Sequence, residues 1–299
     1  MNNKMIDFLK GIPIGVANVV PGFSGGTMAL ILNIYERLIN AFSNVFKSPI
    51  KTIKDIWALA LGILLGIIIA IKLLVILIIN FPIPTSMFFV GLIIGSIPNI
   101  FQKTRKFKIN IKDVVVFFAC ATIVIVVAML KEGKAIDVTF NFKTAIIVFF
   151  LSILASATMI IPGVSGSMIL MAIGYYNFIW VDIVGSFVNA LTTFDIKLIL
   201  NSFLPVIPLG LGVVLGIVLI SKIIQSLLRK CPETVYLSIL GLLVASPFAI
   251  MISLYKEYSE ILTDVRPISW VIGFITLAAG AYLVNYLSKY EQIGKKMNR

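Results

Sequence analysis

The segment Pro21-Gly22-Phe23-Ser24-Gly25-Gly26-Thr27 interrupts an otherwise apolar run from Ile12 to Ile34. Proline removes a backbone donor, and closely spaced glycines weaken a helix interior. In hydrocarbon every unpaired backbone group is costly, so such a break is tolerated only where protein buries it or it lines a wet cavity. The chain breaks again in the same manner: Pro162-Gly163-Val164-Ser165-Gly166-Ser167 lies inside the apolar run from Thr144 to Trp180. Matched interruptions in two halves of a chain point to a transporter's binding site.

The rest of the sequence sets those breaks in a membrane. Hydrophobic residues make up 60% of the chain and charged residues 13%, against about half and a quarter in a soluble domain. Several runs approach the ~18 apolar residues that a membrane span needs. The expectation is an all-α, polytopic integral membrane protein whose first segment is not a cleaved leader, since no small-residue cleavage site follows a short apolar core. The pieces from Asp7 to Val20 and from Thr27 to Ile34 are each too short to cross ~30 Å. They read as a re-entrant pair. Spans are expected at Trp57–Ile79, Ser86–Phe101 and Asp113–Leu130, with a turn at Asn80–Thr85. In the second half Thr144–Ile161 and Val164–Trp180 flank the break, Val181–Asn201 is mixed in polarity, and Phe203–Leu228, Val235–Leu254 and Pro267–Leu287 are spans.

The two halves, 1–143 and 144–299, repeat one plan. A shift of 141 carries Pro21, Gly22, Ser24, Gly25 and Tyr35 onto Pro162, Gly163, Ser165, Gly166 and Tyr176. A shift of 150 carries Gly62, Gly66, Lys72, Pro82, Gly91 and Ser96 onto Gly212, Gly216, Lys222, Pro232, Gly241 and Ser246 without a gap. Three full spans per half is an odd number of crossings, so the second half is expected to be inverted. With a cytoplasmic N-terminus, 17 of the 25 Lys and Arg fall inside and six outside, and the C-terminus is also cytoplasmic. That split agrees with the positive-inside rule. A full crossing by Thr144–Ile161 would move the following loops to the other side and weaken it. The net charge of +12 is therefore assigned to membrane topology, and no nucleic-acid partner is expected.

Ser24 suits an N-cap, and Gly25 and Gly26 leave their N–H groups uncovered before Thr27. Free N–H groups, hydroxyls and the positive end of a helix together bind anions. Ser165, Gly166 and Ser167 offer the same in the second half, and inversion would turn the two helix N-termini toward each other near the midplane. Asn18 closes the first apolar piece and joins these candidates. The competing reading is that the small residues only let helices pack closely. Lys72 and Lys222 lie inside spans, where a lysine costs roughly 2.5–3.5 kcal/mol. They either help hold a phosphate or snorkel to an interface. Glu36 is a candidate proton acceptor or lysine partner, or an ordinary interfacial residue. Arg37, Tyr35 and Tyr176 stand with it as candidates for coupling.

Gly22-Phe23-Ser24-Gly25-Gly26 matches the G-x-S-x-G nucleophile elbow, but that motif needs a strand-turn-helix setting and a histidine. The chain has no histidine, so an enzyme is not expected. Cys120 and Cys231 are isolated and suggest neither a disulfide framework nor a metal site. No cofactor is expected.

The stretch Gly15-Val-Ala-Asn18-Val-Val-Pro21-Gly-Phe-Ser24-Gly-Gly-Thr27, followed by Ile34-Tyr35-Glu36-Arg37-Leu38, resembles the polyprenyl-phosphate transporter family, and Ile161–Ser167 resembles its second signature. The chain departs from the family pattern at Asn33, where Gly is usual, and at Asn18, where Asp is often found. The resemblance covers nearly the whole chain. It implies a flippase of the bacterial plasma membrane that returns undecaprenyl phosphate from the outer to the cytoplasmic leaflet for reuse in cell-envelope polymer synthesis. Undecaprenyl phosphate and membrane lipids are the implied partners, with protons as a candidate coupling ion. A transporter of a small soluble anion, or a membrane enzyme acting on lipid phosphates, are the competing classes.

Overall fold

The computed structural model describes residues 3–19, 24–105, 107–130, 140–163, 166–193, 196–257 and 267–297. Among them all regular structure is helical. The first half contains α1 (Asn3–Val19), α2 (Gly25–Ile31), α3 (Tyr35–Ser43), α4 (Pro49–Asn80), α5 (Pro82–Thr104) and α6 (Ile111–Met129). The second contains α7 (Phe142–Ile160), α8 (Gly166–Ala172), a π-helical stretch (Phe178–Gly185), α9 (Ser186–Thr193), α10 (Ile196–Lys230), α11 (Pro232–Glu257) and α12 (Pro267–Met297).

Seven helices among the described residues are long and apolar enough to cross a membrane: α4 to α7 and α10 to α12. Six are expected from the sequence. The addition is α7, whose 19 residues reach about 28 Å at 1.5 Å per residue. The expected turn Asn80–Thr85 shrinks to Phe81, because Pro82 takes the first helical position, where its missing N–H leaves no gap in the ladder. The mixed region Val181–Asn201 is helical wherever it is described, and α10 begins seven residues before the expected Phe203.

Small residues decide how the helices meet. A Cβ on Gly62 or Gly66 of α4 would stand 2.1 Å from the carbonyl oxygen of Phe8 or Ile12 of α1. A Cβ on Gly212 or Gly216 of α10 would stand 2.4 Å from that of Phe149 or Ile153 of α7. Backbones this close leave no room for a side chain, as expected where apolar lipid supplies no hydrophobic drive and packing alone joins helices. The partners also correspond. The shift of 150 relates the glycines, and the shift of 141 carries Phe8 to Phe149 and Ile12 to Ile153. Helix α5 packs along α12, and α11 along α6. Helices α5 and α11 pack on each other and are the most buried of the spans.

The short helices α2 and α8 match in length and ending. In α2, Asn33 N–H bonds the Leu30 carbonyl at 3.0 Å and Ile34 N–H bonds that of Ala29 at 2.9 Å. In α8, Gly174 and Tyr175 bond Met171 and Leu170 at 3.0 Å each. These are paired Schellman ends, which need one left-handed residue. Asn33 supplies it with φ 55° and Gly174 with φ 79°. Asparagine tolerates that region better than other residues with a side chain.

Candidate functional site

All seven residues of α2 are buried, so its first turn needs partners from within the protein. Ser24 caps it, its Oγ accepting from Thr27 N–H at 3.2 Å. Asn18, on the last turn of α1, accepts from Gly25 N–H through Oδ1 at 3.1 Å and anchors its own amide on the Ile14 carbonyl. The two breaks then touch. Ser24 Oγ donates to the Ile161 carbonyl at 3.3 Å, and Thr27 Oγ1 accepts from Gly163 N–H at 3.0 Å. Ser24 and Thr27 are 2% and 0% exposed, so these hydroxyls face protein alone. Gly163 has φ 81°, and a Cβ there would lie 2.4 Å from Ser246 Oγ on α11.

Of the expected site residues, Asn18, Ser24, Gly25, Gly26 and Thr27 thus come together with Pro162 and Gly163. Gly166 opens α8 against the Ala155 carbonyl of α7. Pro21, Gly22 and Ser165 lie outside the described residues, and only the backbone of Ser167 and Lys72 is described. Lys222 is exposed on α10.

Beside the first break is a cavity of about 220 Å³. Its polar edge is Asn18, Gly25, Gly26 and Tyr35. Its walls are apolar, from Ile14 of α1, Ile63 and Ile67 of α4, Met159 and Ile160 of α7, and Ile217 of α10. Burial pushes the Tyr35 phenol up, so it stands in this wall as a neutral hydroxyl. Tyr176 is half-buried and does not line the cavity.

Two charge clusters flank α3. Arg37 forks onto Asp7 of α1 at 2.7 and 3.0 Å and reaches Asp55 of α4 at 2.8 Å. These carboxylates raise the guanidinium's proton affinity above its ordinary value, and Asp7 is 7% exposed. Lys4 adds bonds of 2.8 Å to the carbonyls of Lys54 and Asp55. On the other side Glu36 accepts from the Tyr236 hydroxyl of α11 and from Lys103 of α5 at 3.0 Å. Lys103 also lies over the Tyr236 ring, 5.1 Å from its centre. A lysine partner for Glu36 is among the expectations from the sequence, without its identity; Asp7, Asp55 and Tyr236 are not. One signal was available: the chain has 13 acidic residues against 25 basic ones, so each acidic residue invites a search for its cation.

Comparison with known proteins follows the same lines. The family model described as undecaprenyl phosphate translocase-like matches residues 14–269. The chain belongs to this family. The translocase-like match takes in both breaks and six of the seven long helices, and stops three residues into α12. A polyprenyl-phosphate transporter of Staphylococcus aureus (strain NCTC 8325 / PS 47) is 31% identical over 280 residues, covering 91% of this chain and 94% of that protein. A polyprenyl-phosphate transporter of Vibrio cholerae serotype O1 (strain ATCC 39315 / El Tor Inaba N16961) is 28% identical over 325 residues, covering 97% and 98%. No solved structure matches.

Proposed function

We propose that this protein moves polyprenyl phosphate, in particular undecaprenyl phosphate, from the outer to the cytoplasmic leaflet of a bacterial plasma membrane for reuse in cell-envelope polymer synthesis. The observation that carries the reading is the cavity at the first break. It joins a short polar edge to apolar walls, which is the polarity a lipid phosphate requires: donors for the head group and hydrocarbon for the chain. The names of the two relatives support the substrate class.

The same reading treats the halves as inverted repeats with re-entrant α1–α2 and α7–α8 pairs. The matched contacts of Gly62 with Phe8 and of Gly212 with Phe149 support the repeat. The donors of the two breaks are occupied by protein oxygens in this conformation: Gly25 N–H by Asn18, Ser24 O–H by Ile161, and Gly163 N–H by Thr27. A phosphate entering there replaces those acceptors and separates the breaks, while Ser165, Gly166 and Ser167 complete the cradle and Lys72 and Lys222 supply charge at its approaches. Glu36 is the coupling carboxylate, since protonation would end its ion pair with Lys103.

Reconstitution with labelled undecaprenyl phosphate under an imposed pH gradient tests this. Inward movement is expected with the unaltered protein and is expected to be lost in Ser24→Ala/Gly25→Leu, in which a leucine side chain projects onto Asn18 and the cavity. Normal movement in that inserted variant rejects the site. Competition by free phosphate but not by polyprenyl phosphate would identify a soluble-anion transporter instead, and phosphate release from the lipid an enzyme.

A further inference from the structure

The α7–α10 seam holds a second concavity, a groove of about 710 Å³ whose lining includes Ala145, Ile146, Phe150, Leu204, Ile207 and Leu211. It lies at one end of the seam and the 220 Å³ cavity at the other. Leu211 of the groove and Ile217 of the cavity are separated by roughly 9 Å along α10. Between them Gly212 and Gly216 hold the helices in backbone contact. Beyond that contact Pro205 and Pro208 interrupt the α10 ladder, and prolines bend a helix where they do so. The groove therefore has a cause in the sequence.

The matching corner of the other half is built differently. Under the shifts that relate the glycine contacts, Ala145, Leu204 and Pro205 correspond to Lys4, Lys54 and Asp55. There Lys4 crosses the α1–α4 seam to the carbonyls of Lys54 and Asp55, and Arg37 ties Asp55 to Asp7. One corner is closed by charge; its counterpart is open and apolar. By the charge topology the closed corner is cytoplasmic and the open one faces the outer leaflet.

We propose that the α7–α10 groove is the outer-leaflet docking site for the isoprenoid tail of the transported lipid phosphate. This rests on the function proposed above. Two observations select a tail of this substrate over bulk lipid: the groove shares its seam with the cavity, and the equivalent corner of the first half is bridged by Lys4 and Arg37. Because lipid tails are as apolar as leucine, the groove's selectivity comes from packing contacts rather than from hydrophobic transfer. The expected effect of filling it is accordingly modest.

The full-length protein, reconstituted with polyprenyl phosphate bearing a diazirine on its tail, is irradiated and the labelled peptides are mapped. Labels are expected on the groove segments of α7 and α10, diminished by unlabelled undecaprenyl phosphate and unaffected by phosphatidylglycerol. Labels confined to the lipid-facing sides of α6 and α12, or erased equally by phosphatidylglycerol, would overturn the proposal. Ala145→Lys, which transplants the charge of the closed corner, and Ile207→Trp, which fills the groove, are expected to raise the apparent KM for the long-chain substrate by about 3- to 10-fold, the modest range set by packing alone. Both are expected to leave transport of geranyl phosphate unchanged. Wild-type kinetics in both variants, or equal losses for both chain lengths, reject the groove while leaving the transport function standing. Failure of the unaltered protein to move either prenyl phosphate rejects both.

Discussion

Thr27 and Gly163 are 136 residues apart, and the hydroxyl of one accepts a hydrogen bond of 3.0 Å from the backbone of the other. The bond joins the two helix breaks directly. Thr27→Val keeps the side chain's shape and leaves the Gly163 N–H buried without its acceptor, a loss of about 1–3 kcal/mol. A lower thermal midpoint in detergent is expected for Thr27→Val, with most of it retained in Thr27→Ser. Equal midpoints for all three proteins would show that this contact does not hold the breaks together.

Gly163→Ala is expected to be more damaging. Its φ of 81° places a side chain in the left-handed region, at about 1–2 kcal/mol, and the new Cβ would meet Ser246 Oγ at 2.4 Å and the Leu242 carbonyl at 2.9 Å. Removing Ser246 Oγ through a second change, Ser246→Gly, relieves one clash and leaves the other two effects. Partial recovery of the midpoint in the double variant is the expected result; complete recovery would mean that the backbone strain is negligible.

The glycine seams predict a paired response with an internal control. Gly62→Ala and Gly212→Ala each push a Cβ into a carbonyl oxygen of the facing helix, whereas a Cβ on Gly210 would meet nothing within 4 Å. The first two variants are expected to lose stability to a similar extent. Gly210→Ala is expected to gain up to about 1 kcal/mol from helix propensity. Stability unchanged in either Gly62→Ala or Gly212→Ala would break the correspondence between the seams.

Glu36→Gln preserves an acceptor for Tyr236 and removes the charge that faces Lys103. If Glu36 couples transport to protons, the variant exchanges lipid down its gradient but no longer responds to an imposed pH difference. A retained pH response, measured by accumulation of labelled lipid in vesicles, would assign coupling to another group.

The cap of the candidate site was legible in the residues because its signals are local. Pro21 and Gly22 disfavour a continuing helix, Ser24 can cap one, and the same Pro-Gly-x-Ser-Gly pattern recurs 141 residues later. The seams were half legible: Gly62, Gly66, Gly212 and Gly216 announce close packing, but nothing in their spacing names Phe8 or Phe149 as the surface approached. The span count diverged at α7, because an apolar run of that length satisfies both a re-entrant and a crossing reading, and hydrophobicity does not distinguish them.

By itself, the sequence determined a helical membrane protein with two matched breaks, since hydrocarbon permits few backbone arrangements and the breaks violate them at corresponding positions. The tertiary structure decided what the breaks do to one another. Ser24 and Thr27 cross to Ile161 and Gly163, Arg37 selects Asp7 and Asp55, and Glu36 selects Lys103 and Tyr236. Those pairings join residues from different helices, so they depend on how the helices cross, and crossing is set by backbone contact at glycines rather than by any pattern along one segment.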